Sequence, residues 1–210
     1  MPFEYQGVKI TWYGHASFKI SNSAVIYIDP YLVPSDAEKA DIVLVTHEHY
    51  DHCAVENIKA LAKEDTVVVA PENCVSKLEG LNVKPISANE SVEVKGVVIT
   101  ATEAYNIDKP FHPKGLGVGY IVEINGVKIY HAGDTDAIEE MRTLNVDIAL
   151  LPVGGTYTMN AEEAAAIVNE FKPKIAIPMH YGEIVGSELD AQKFKELVKE
   201  ARVEILEKEA

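Results

Sequence analysis

The sequence predicts an α/β fold in which two β-sheets pack together and helices cover their outer sides. The first half of the chain contains mostly short β-type runs, whereas the second half alternates strand-like and helix-like segments. A weak internal repeat points the same way: Ala24–Asp29 (AVIYID) is similar to VKIYHAGD at residues 127–134, and Ala40–Val45 (ADIVLV) is similar to Val146–Leu151 (VDIALL). Chance similarity between apolar strands is the alternative for either pair alone. Two pairs in the same order favour a duplicated unit, which would give two sheets with helices outside.

The composition predicts one globular domain over residues 1–210. Hydrophobic residues make up 47% of the chain and charged residues 25%, which is ordinary for a soluble protein long enough to bury a sizeable core. The net charge of −14 argues against non-specific nucleic-acid binding and against anionic membranes. We therefore expect a small-molecule substrate, with no nucleic-acid or membrane partner, and leave a homo-oligomer open.

The two cysteines and the N-terminus indicate the compartment. Cys53 and Cys74 form neither a CxxC pair nor a disulfide framework. The N-terminal segment lacks the charged and apolar regions of a secretion signal, and no apolar run approaches the roughly 18 residues of a membrane span. We expect a reduced, cytoplasmic protein.

Strand predictions rest on short apolar or alternating runs bounded by turn residues. Asp41–Thr46 (DIVLVT) is almost continuously apolar, which is typical of a strand buried on both faces, and Asn125-Gly126 marks a hairpin turn. The predicted strands are Val8–Trp12, Phe18–Ile20, Ala24–Ile28, Asp41–Thr46, Thr66–Ala70, Ser91–Val94, Val97–Thr102, Gly119–Ile124, Val127–Tyr130, Asp147–Leu151 and Lys174–Ile177.

Helix predictions rest on apolar residues spaced three or four apart. One helix is expected around Val55, Ile58 and Leu61, and a second over Asp136–Leu144. A third should begin at the capping pair Asn160 and Glu163, carry its apolar stripe to Phe171 and end before Pro173. The last should present Phe194, Leu197, Val198 and Ala201 on one face.

The strongest chemical motif is THEHYDH at residues 46–52, directly after a predicted buried strand. His47 and His49 are two residues apart, so in an extended chain they point to the same side and can bind one metal ion. After a turn, Asp51 and His52 can face a second metal ion at the usual two-metal spacing of about 3.5–4 Å. Imidazole and carboxylate ligands suit Zn²⁺, Mn²⁺ or iron. The alternative, a polar loop with hydrogen-bonded histidines, fits four such residues at HxHxDH spacing poorly.

Further candidate ligands follow other predicted strands. Asp134 in Gly133-Asp134-Thr135 could bridge two metal ions, although it could equally be a turn or cap residue. His180, just past Lys174–Ile177, could be a ligand or a loop histidine. Asp29 could accept a hydrogen bond from a ligand imidazole, or be a plain turn residue before Pro30.

With these motifs in order, the sequence resembles the metallo-β-lactamase superfamily, and more closely its branch of small Zn-dependent hydrolases similar to the ascorbate-6-phosphate lactonases. The resemblance covers nearly the whole chain. It depends on Gly14-His15, Asp29-Pro30, the HxHxDH motif, Ala132-Gly133-Asp134-Thr135 and Pro178-Met179-His180. It implies an αββα sandwich of two mixed β-sheets flanked by helices, with the site at one edge between the sheets.

The resemblance also implies roles for individual residues. His47 and His49 would bind a first metal ion, Asp51, His52 and His180 a second, and Asp134 would bridge them, with Asp29 supporting a ligand. Family members usually supply one more histidine to the first metal ion from the loop after Val97–Thr102. Here Asn106 takes that position, and His112, six residues further on, could bind instead.

Three other residues near the motifs have open roles. His15 is a candidate catalytic contact to substrate or transition state, or else a buried hydrogen-bonded histidine. Tyr181 is a weaker candidate of the same kind. Gly154-Gly155-Thr156 could line the pocket through its N–H groups, or be an ordinary loop.

The predicted function is that of a metal-dependent hydrolase. Two Zn²⁺ ions per chain, or Mn²⁺ or iron, would supply a metal-bound hydroxide that cleaves a small ester-like, lactone or phosphodiester substrate, with Asp51 orienting the nucleophile. The alternatives are a non-hydrolytic di-iron redox protein and a binding module with a degenerate site. No GxSxG or GxxxxGK[ST] motif is present in the sequence.

Overall fold

The computed structural model describes residues 2–209, so the terminal residues of the predicted 1–210 domain lie outside the described part. Two seven-stranded sheets dominate it. The strands of the first sheet, β1–β7, are Phe3–Tyr5, Val8–Gly14, Ser17–Ser21, Val25–Ile28, Ile42–Leu44, Val67–Ala70 and Val83–Pro85. Those of the second, β8–β14, are Ser91–Val94, Val97–Ala104, Gly117–Ile124, Val127–His131, Ile148–Pro152, Ile175–Met179 and Arg202–Val203. The helices, α1–α4, are Val55–Leu61, Glu72–Val75, Ala161–Phe171 and Glu188–Leu197.

The two sheets share one topology. Strands β1 to β4 pair antiparallel and β4 to β7 pair parallel. Strands β8 to β11 likewise pair antiparallel, and β11 to β14 pair parallel. The predicted αββα sandwich of two mixed sheets is therefore confirmed, and the similar segments of the sequence repeat occupy equivalent strands in the two halves.

The strand β5 shows why its sequence is apolar on both faces. Ile42 and Leu44 belong to the main core between the sheets. Val43 points the other way, into a second core that includes Ile58 and Leu61 of α1. On the second sheet, α3 packs against β12 and α4 against β13. Helices thus cover the outer side of each sheet. Successive side chains of a strand point to opposite faces, so a strand buried on both faces, such as β5, is apolar throughout.

The predicted helix over Asp136–Leu144 is wrong. Only a short 3₁₀ helix, Glu139–Thr143, forms there. The Asp136 carboxylate instead accepts hydrogen bonds from the side chains of Asn106 and Lys109 and from the backbone of Ile107. These bonds hold the start of the segment in a loop conformation, so a full helix does not form. Ile138 and Met141 are nevertheless buried, as their apolar spacing suggested.

The predicted face of the last helix is also partly wrong. Helix α4 ends at Leu197, so Val198 and Ala201 lie beyond it, and its buried residues are Ala191 and Phe194. Asn169 of α3 explains the ending: its side chain donates to the Leu197 carbonyl and accepts from the backbone N–H groups of Lys199 and Glu200. Four short elements, β1, α2, β7 and β14, were not predicted because runs of two to four residues carry little periodicity.

Candidate metal centre

The candidate site lies where several parallel strands end at one edge of each sheet. The HxHxDH segment follows β5, Asp29 follows β4, Asp134 follows β11 and His180 follows β13. Since parallel strands present their carboxyl ends at the same edge, side chains from both halves of the chain meet there.

A first group consists of His47, His49 and His112, whose nearest ring nitrogens all lie within 4.8 Å of one another. Nε2 of His47 is 3.0 Å from Nδ1 of His49. Two nitrogens bound at about 2.0–2.1 Å to one tetrahedral zinc ion lie roughly 3.3 Å apart. The spacing of the first group therefore suits a single shared ion.

The structure brings His112, not Asn106, into the first group. Nδ2 of Asn106 donates to Oδ1 of Asp136 (3.2 Å) and to the Tyr157 carbonyl (2.9 Å). Its Oδ1 accepts from the backbone N–H of His112 and lies 3.1 Å from Nδ1 of the same residue. Asn106 thus uses its polar atoms to hold His112, whose Nε2 is left facing the site.

A second group consists of Asp51, His52, His180 and His15, again with candidate ligand atoms within 4.8 Å of one another. Nε2 of His15 lies 2.9 Å from Oδ2 of Asp51, and the ring of His15 lies 3.9 Å from that of His180. His15 is fully buried and does not line the cavity described below. Of the two roles that the sequence left open, its contacts here are those of a buried, hydrogen-bonded histidine beside Asp51.

Asp134 lies between the two groups. Its Oδ2 is 3.2 Å from Nε2 of His112 and 3.1 Å from Nε2 of His180. Its Oδ1 is 3.3 Å from Nε2 of His52. One carboxylate thus reaches both groups, which is the position that a bridging ligand requires.

Hydrogen bonds on the far side of three rings fix which nitrogen faces the centre. Thr46 Oγ1 donates to Asp29 Oδ2 (2.6 Å), so it can accept from Nδ1 of His47, 3.0 Å away. Nδ1 of His52 lies 2.7 Å from the same Asp29 oxygen. Nδ1 protons on His47, His52 and His112 leave their Nε2 lone pairs directed inwards, as in metal-binding histidines. Asp29 therefore lies within hydrogen-bonding distance of His52, as one of the two interpretations of the sequence required, and its support of a metal ligand stays a prediction.

Unsatisfied buried atoms concentrate at this centre. Nε2 of His52, His112 and His180 and Oδ1 of Asp134 make no hydrogen bond with any part of the chain that the structure describes. Buried polar atoms without partners are costly and rare. Cations among these lone pairs would satisfy all four atoms, so the residues present fit metal ions.

The electrostatics favour positive charge at the same place. Burial would lower the pKa of His52, but the carboxylates of Asp134 and Asp29 hold this pKa well above its usual value. A proton or a metal ion can supply that charge. Burial and the neighbouring His52 keep the pKa of His47 well below its ordinary value, so this ring is neutral and free to act as a ligand.

The two acidic residues are held ionised. Burial would raise the pKa of Asp134, but His180 and His52 keep it well below its usual range. Burial would also raise the pKa of Asp51, yet the hydrogen bond with His15 and the charge of His52 lower it to about 2. Both carboxylates are therefore available as anionic ligands at neutral pH.

His131, for which the sequence predicted no role, supports the loop of Asp134. Its Nε2 lies 2.9 Å from the carbonyl of Ala16, in the turn between β2 and β3 of the first sheet, and its Nδ1 accepts from the backbone N–H of Gly133, 3.2 Å away. Gly133 has a φ of +65°, and a Cβ there would lie 2.8 Å from the carbonyl of Val118. The segment HAGD at residues 131–134 was visible in the sequence, but only the folded chain shows that His131 joins the two sheets.

A cavity of about 240 Å³ opens onto the centre. Its lining comprises His49, Tyr50, Asp51, Phe111, His112, Asp134, Tyr157, His180 and Ile184. Tyr181 and Gly154-Gly155-Thr156 do not line it: Tyr181 packs on Trp12, and the Cα of Gly154 lies so close to the His180 backbone that a Cβ would lie 2.3 Å from its carbonyl oxygen. A substrate in this cavity would contact both groups of candidate ligands.

Comparison with known proteins matches this architecture. The family model described as the beta-lactamase superfamily domain matches residues 9–180. A UPF0173 metal-dependent hydrolase from Thermococcus onnurineus is 37% identical over 207 residues, which cover 91% of this chain and 92% of the relative. The chain belongs to the UPF0173 metal-dependent hydrolases of the beta-lactamase superfamily.

Solved structures similar to this UPF0173 hydrolase extend the likeness to the whole fold. A protein from Parabacteroides distasonis, provisionally described as a metal-dependent hydrolase, is 33% identical with a TM-score of 0.87, over 98% of this chain and 96% of the other. Igni18, a metallo hydrolase from Ignicoccus hospitalis, is 27% identical with a TM-score of 0.81, over 97% and 96% of the two chains. Among the helices of residues 2–209, none has the length and apolarity needed to span a membrane.

Proposed function

We propose that this UPF0173 hydrolase binds two metal ions and cleaves a small ester-like, lactone or phosphodiester substrate. His47, His49 and His112 would hold the first ion and Asp51, His52 and His180 the second, with Asp134 shared between them. Zn²⁺ suits this donor set, as do Mn²⁺ and iron. When bound, such ions lower the pKa of water towards about 7 and stabilise the negative charge that develops on the substrate.

The position of Asp134 is the observation that carries this proposal. A carboxylate within 3.3 Å of ring nitrogens from both groups joins two ligand sets that would otherwise be separate sites. Asp51 is ionised and lines the cavity, so it can also orient the attacking water by accepting a hydrogen bond. His15 would then act through Asp51 as a positioning residue.

Loss of ligands should remove both metal and activity. We expect His49→Ala and Asp134→Asn to lower metal content from two ions per chain and to reduce turnover of an ester and lactone panel at least about 100-fold, more than the loss of a supporting residue usually costs. Elemental analysis and initial rates measure the two effects, and circular dichroism checks that the variants fold.

Glu48→Ala is the matched control, because Glu48 lies between His47 and His49 in sequence but pairs with Lys77 at 2.9 Å. It should keep its metal and its rate. Full activity in His49→Ala after complete metal loss would contradict the proposal. Oxidisable iron without hydrolysis would favour the redox alternative, and sub-stoichiometric metal without activity the degenerate binding module.

A further inference from the structure

The rim of the cavity is apolar and aromatic. Tyr50, Phe111 and Ile184 are 68%, 41% and 40% exposed, although all three are large hydrophobic residues. Phe111 packs edge-on against Tyr157 with ring centroids 4.8 Å apart, and Tyr50 contacts Tyr31 in the same way at 5.8 Å. Exposed apolar side chains grouped around one opening are uncommon on a monomer surface and usually mark a binding site.

Among residues 2–209, neither a lysine nor an arginine lines the cavity. The lysines closest in sequence or by contact are already paired: Lys109 with Asp136 at 2.5 Å, Lys114 with Glu140 at 3.0 Å, Lys77 with Glu48 at 2.9 Å, and Lys208 with Glu183. The net charge of −14 adds a repulsive field for anions.

We infer that this cavity selects substrates whose group beside the reacting bond is uncharged and apolar or aromatic. This inference rests on the proposed function of the same site. Metal ions can bind the reacting group of an ester or a phosphodiester, but a second anionic group, such as the phosphate of a phosphorylated sugar lactone, would be desolvated against Phe111, Tyr157 and Ile184 without a counter-ion. A small ester or lactone with an aryl or alkyl substituent fits the volume and the lining.

Two nearly isosteric esters test the charge preference. 4-(Methylsulfonyl)phenyl acetate and 4-sulfophenyl acetate differ by a methyl group in place of an oxyanion, and a sulfonate is a weak metal ligand. Water cleaves the acyl C–O bond of either ester to give acetic acid and the phenol. We expect kcat/KM of the metal-loaded protein to be at least about tenfold higher for the neutral ester, with the difference in KM. The assay runs in 1 M salt, where the Debye length is about 3 Å, so that the net charge contributes little.

A charge placed on the rim should change this ratio, and the same charge elsewhere should not. Phe111→Lys should reduce the preference to about threefold or less, as expected for a partly exposed ion pair. Leu189→Lys is the matched control, because Leu189 is 77% exposed on α4 and outside the cavity. A wild-type ratio within twofold of unity, or an equal effect of both lysine variants, would overturn the inference.

Calorimetric titration with the two product phenols separates the inference from the proposed function. Tighter binding of 4-(methylsulfonyl)phenol than of 4-hydroxybenzenesulfonate, with the difference reduced by Phe111→Lys, supports the apolar selectivity even if no ester is cleaved. Absence of turnover across the whole panel would count against the hydrolase proposal alone. Equal binding of both phenols counts against the selectivity alone.

Discussion

At the scale of single residues, His15 shows how the site depends on groups that a substrate does not touch. It is fully buried, its Nε2 lies 2.9 Å from Asp51, and its carbonyl accepts hydrogen bonds from Nε1 of Trp12 and the backbone N–H of His180. Its φ of +50° holds the turn after β2 in the left-handed region. Its contacts thus involve two proposed ligands of the same metal ion.

Replacing His15 should affect the second metal ion more than the fold. We expect His15→Phe to weaken binding of one of the two ions by about 10–100-fold, because a group that orients a ligand carboxylate is lost. Competition with a chromogenic chelator measures both affinities, and His15→Gln, which retains a donor, should recover part of the loss. Equal weakening of both ions, or a fall in melting temperature with unchanged metal affinity, would show that His15 is only structural.

Spacing in the sequence was enough to predict which side chains of the HxHxDH motif lie together. It did not decide which residue of the loop at residues 105–112 joins them. The HxHxDH motif keeps its side chains together because they are neighbours in the chain. The choice between Asn106 and His112 stayed open, since it depends on the conformation of residues 105–112, which the buried Asp136 sets through bonds to Asn106 and Lys109. His131 carried no motif of its own, and its contact with Ala16 spans 115 positions of the chain.

At the scale of elements, each half of the chain has an aspartate with the same kind of contacts just before a parallel strand. Asp41 precedes β5 and accepts from the backbone N–H of Val25 and from Nζ of Lys63. Asp147 precedes β12 and accepts from the backbone N–H of Lys128 and from Nζ of Lys174. Each aspartate therefore ties the start of a parallel strand to the preceding strand, at equivalent places in the duplicated topology.

These carboxylates should make stability depend on pH. Burial would raise the pKa of each, but hydrogen bonds from Lys63 and the Val25 backbone, or from the Lys128 backbone and Lys174, lower it. A carboxylate whose pKa is lower in the folded state than its unfolded value of about 3.9 stabilises the fold above that pH. This contribution is lost as the pH falls through the folded-state pKa. We expect Asp147→Asn and Asp41→Asn each to cost about 1 kcal/mol of unfolding free energy at pH 7 and little near pH 2.

Urea unfolding in the presence of a chelator measures this effect without interference from metal binding. Asp65→Asn serves as the control, because Asp65 also pairs with Lys63 and Lys95 but is exposed and holds no strand; it should change stability little. The same destabilisation at both pH values would mean that the lost contribution is packing and not charge.

Element prediction was limited by tertiary contacts of this kind. The apolar spacing at residues 136–144 is compatible with a helix, but the Asp136 network prevents one. The apolar spacing of Phe194, Leu197, Val198 and Ala201 suggests a longer helix, but Asn169 binds the backbone at its end. Long strands and the capped helix α3, whose capping box of Asn160 and Glu163 forms as predicted, were set by local sequence.

At the scale of the whole molecule, duplication explains how ligands distant in sequence meet. Each half is an antiparallel strand series followed by a parallel one, and segments that follow parallel strands of both sheets carry the side chains that meet at the candidate site. The first half supplies His47, His49, Asp51 and His52, and the second supplies His112, Asp134 and His180. The sequence repeat already predicted this architecture, but the distances between the halves required the fold.

Anomalous X-ray diffraction at the zinc edge, on crystals of the zinc-loaded protein, would locate the metal ions of the proposed centre. We expect two peaks about 3.5–4 Å apart, one among His47, His49 and His112 and one among Asp51, His52 and His180, with the Asp134 carboxylate between them. Zinc bound elsewhere, or a centre without peaks at full loading, would contradict the proposed centre.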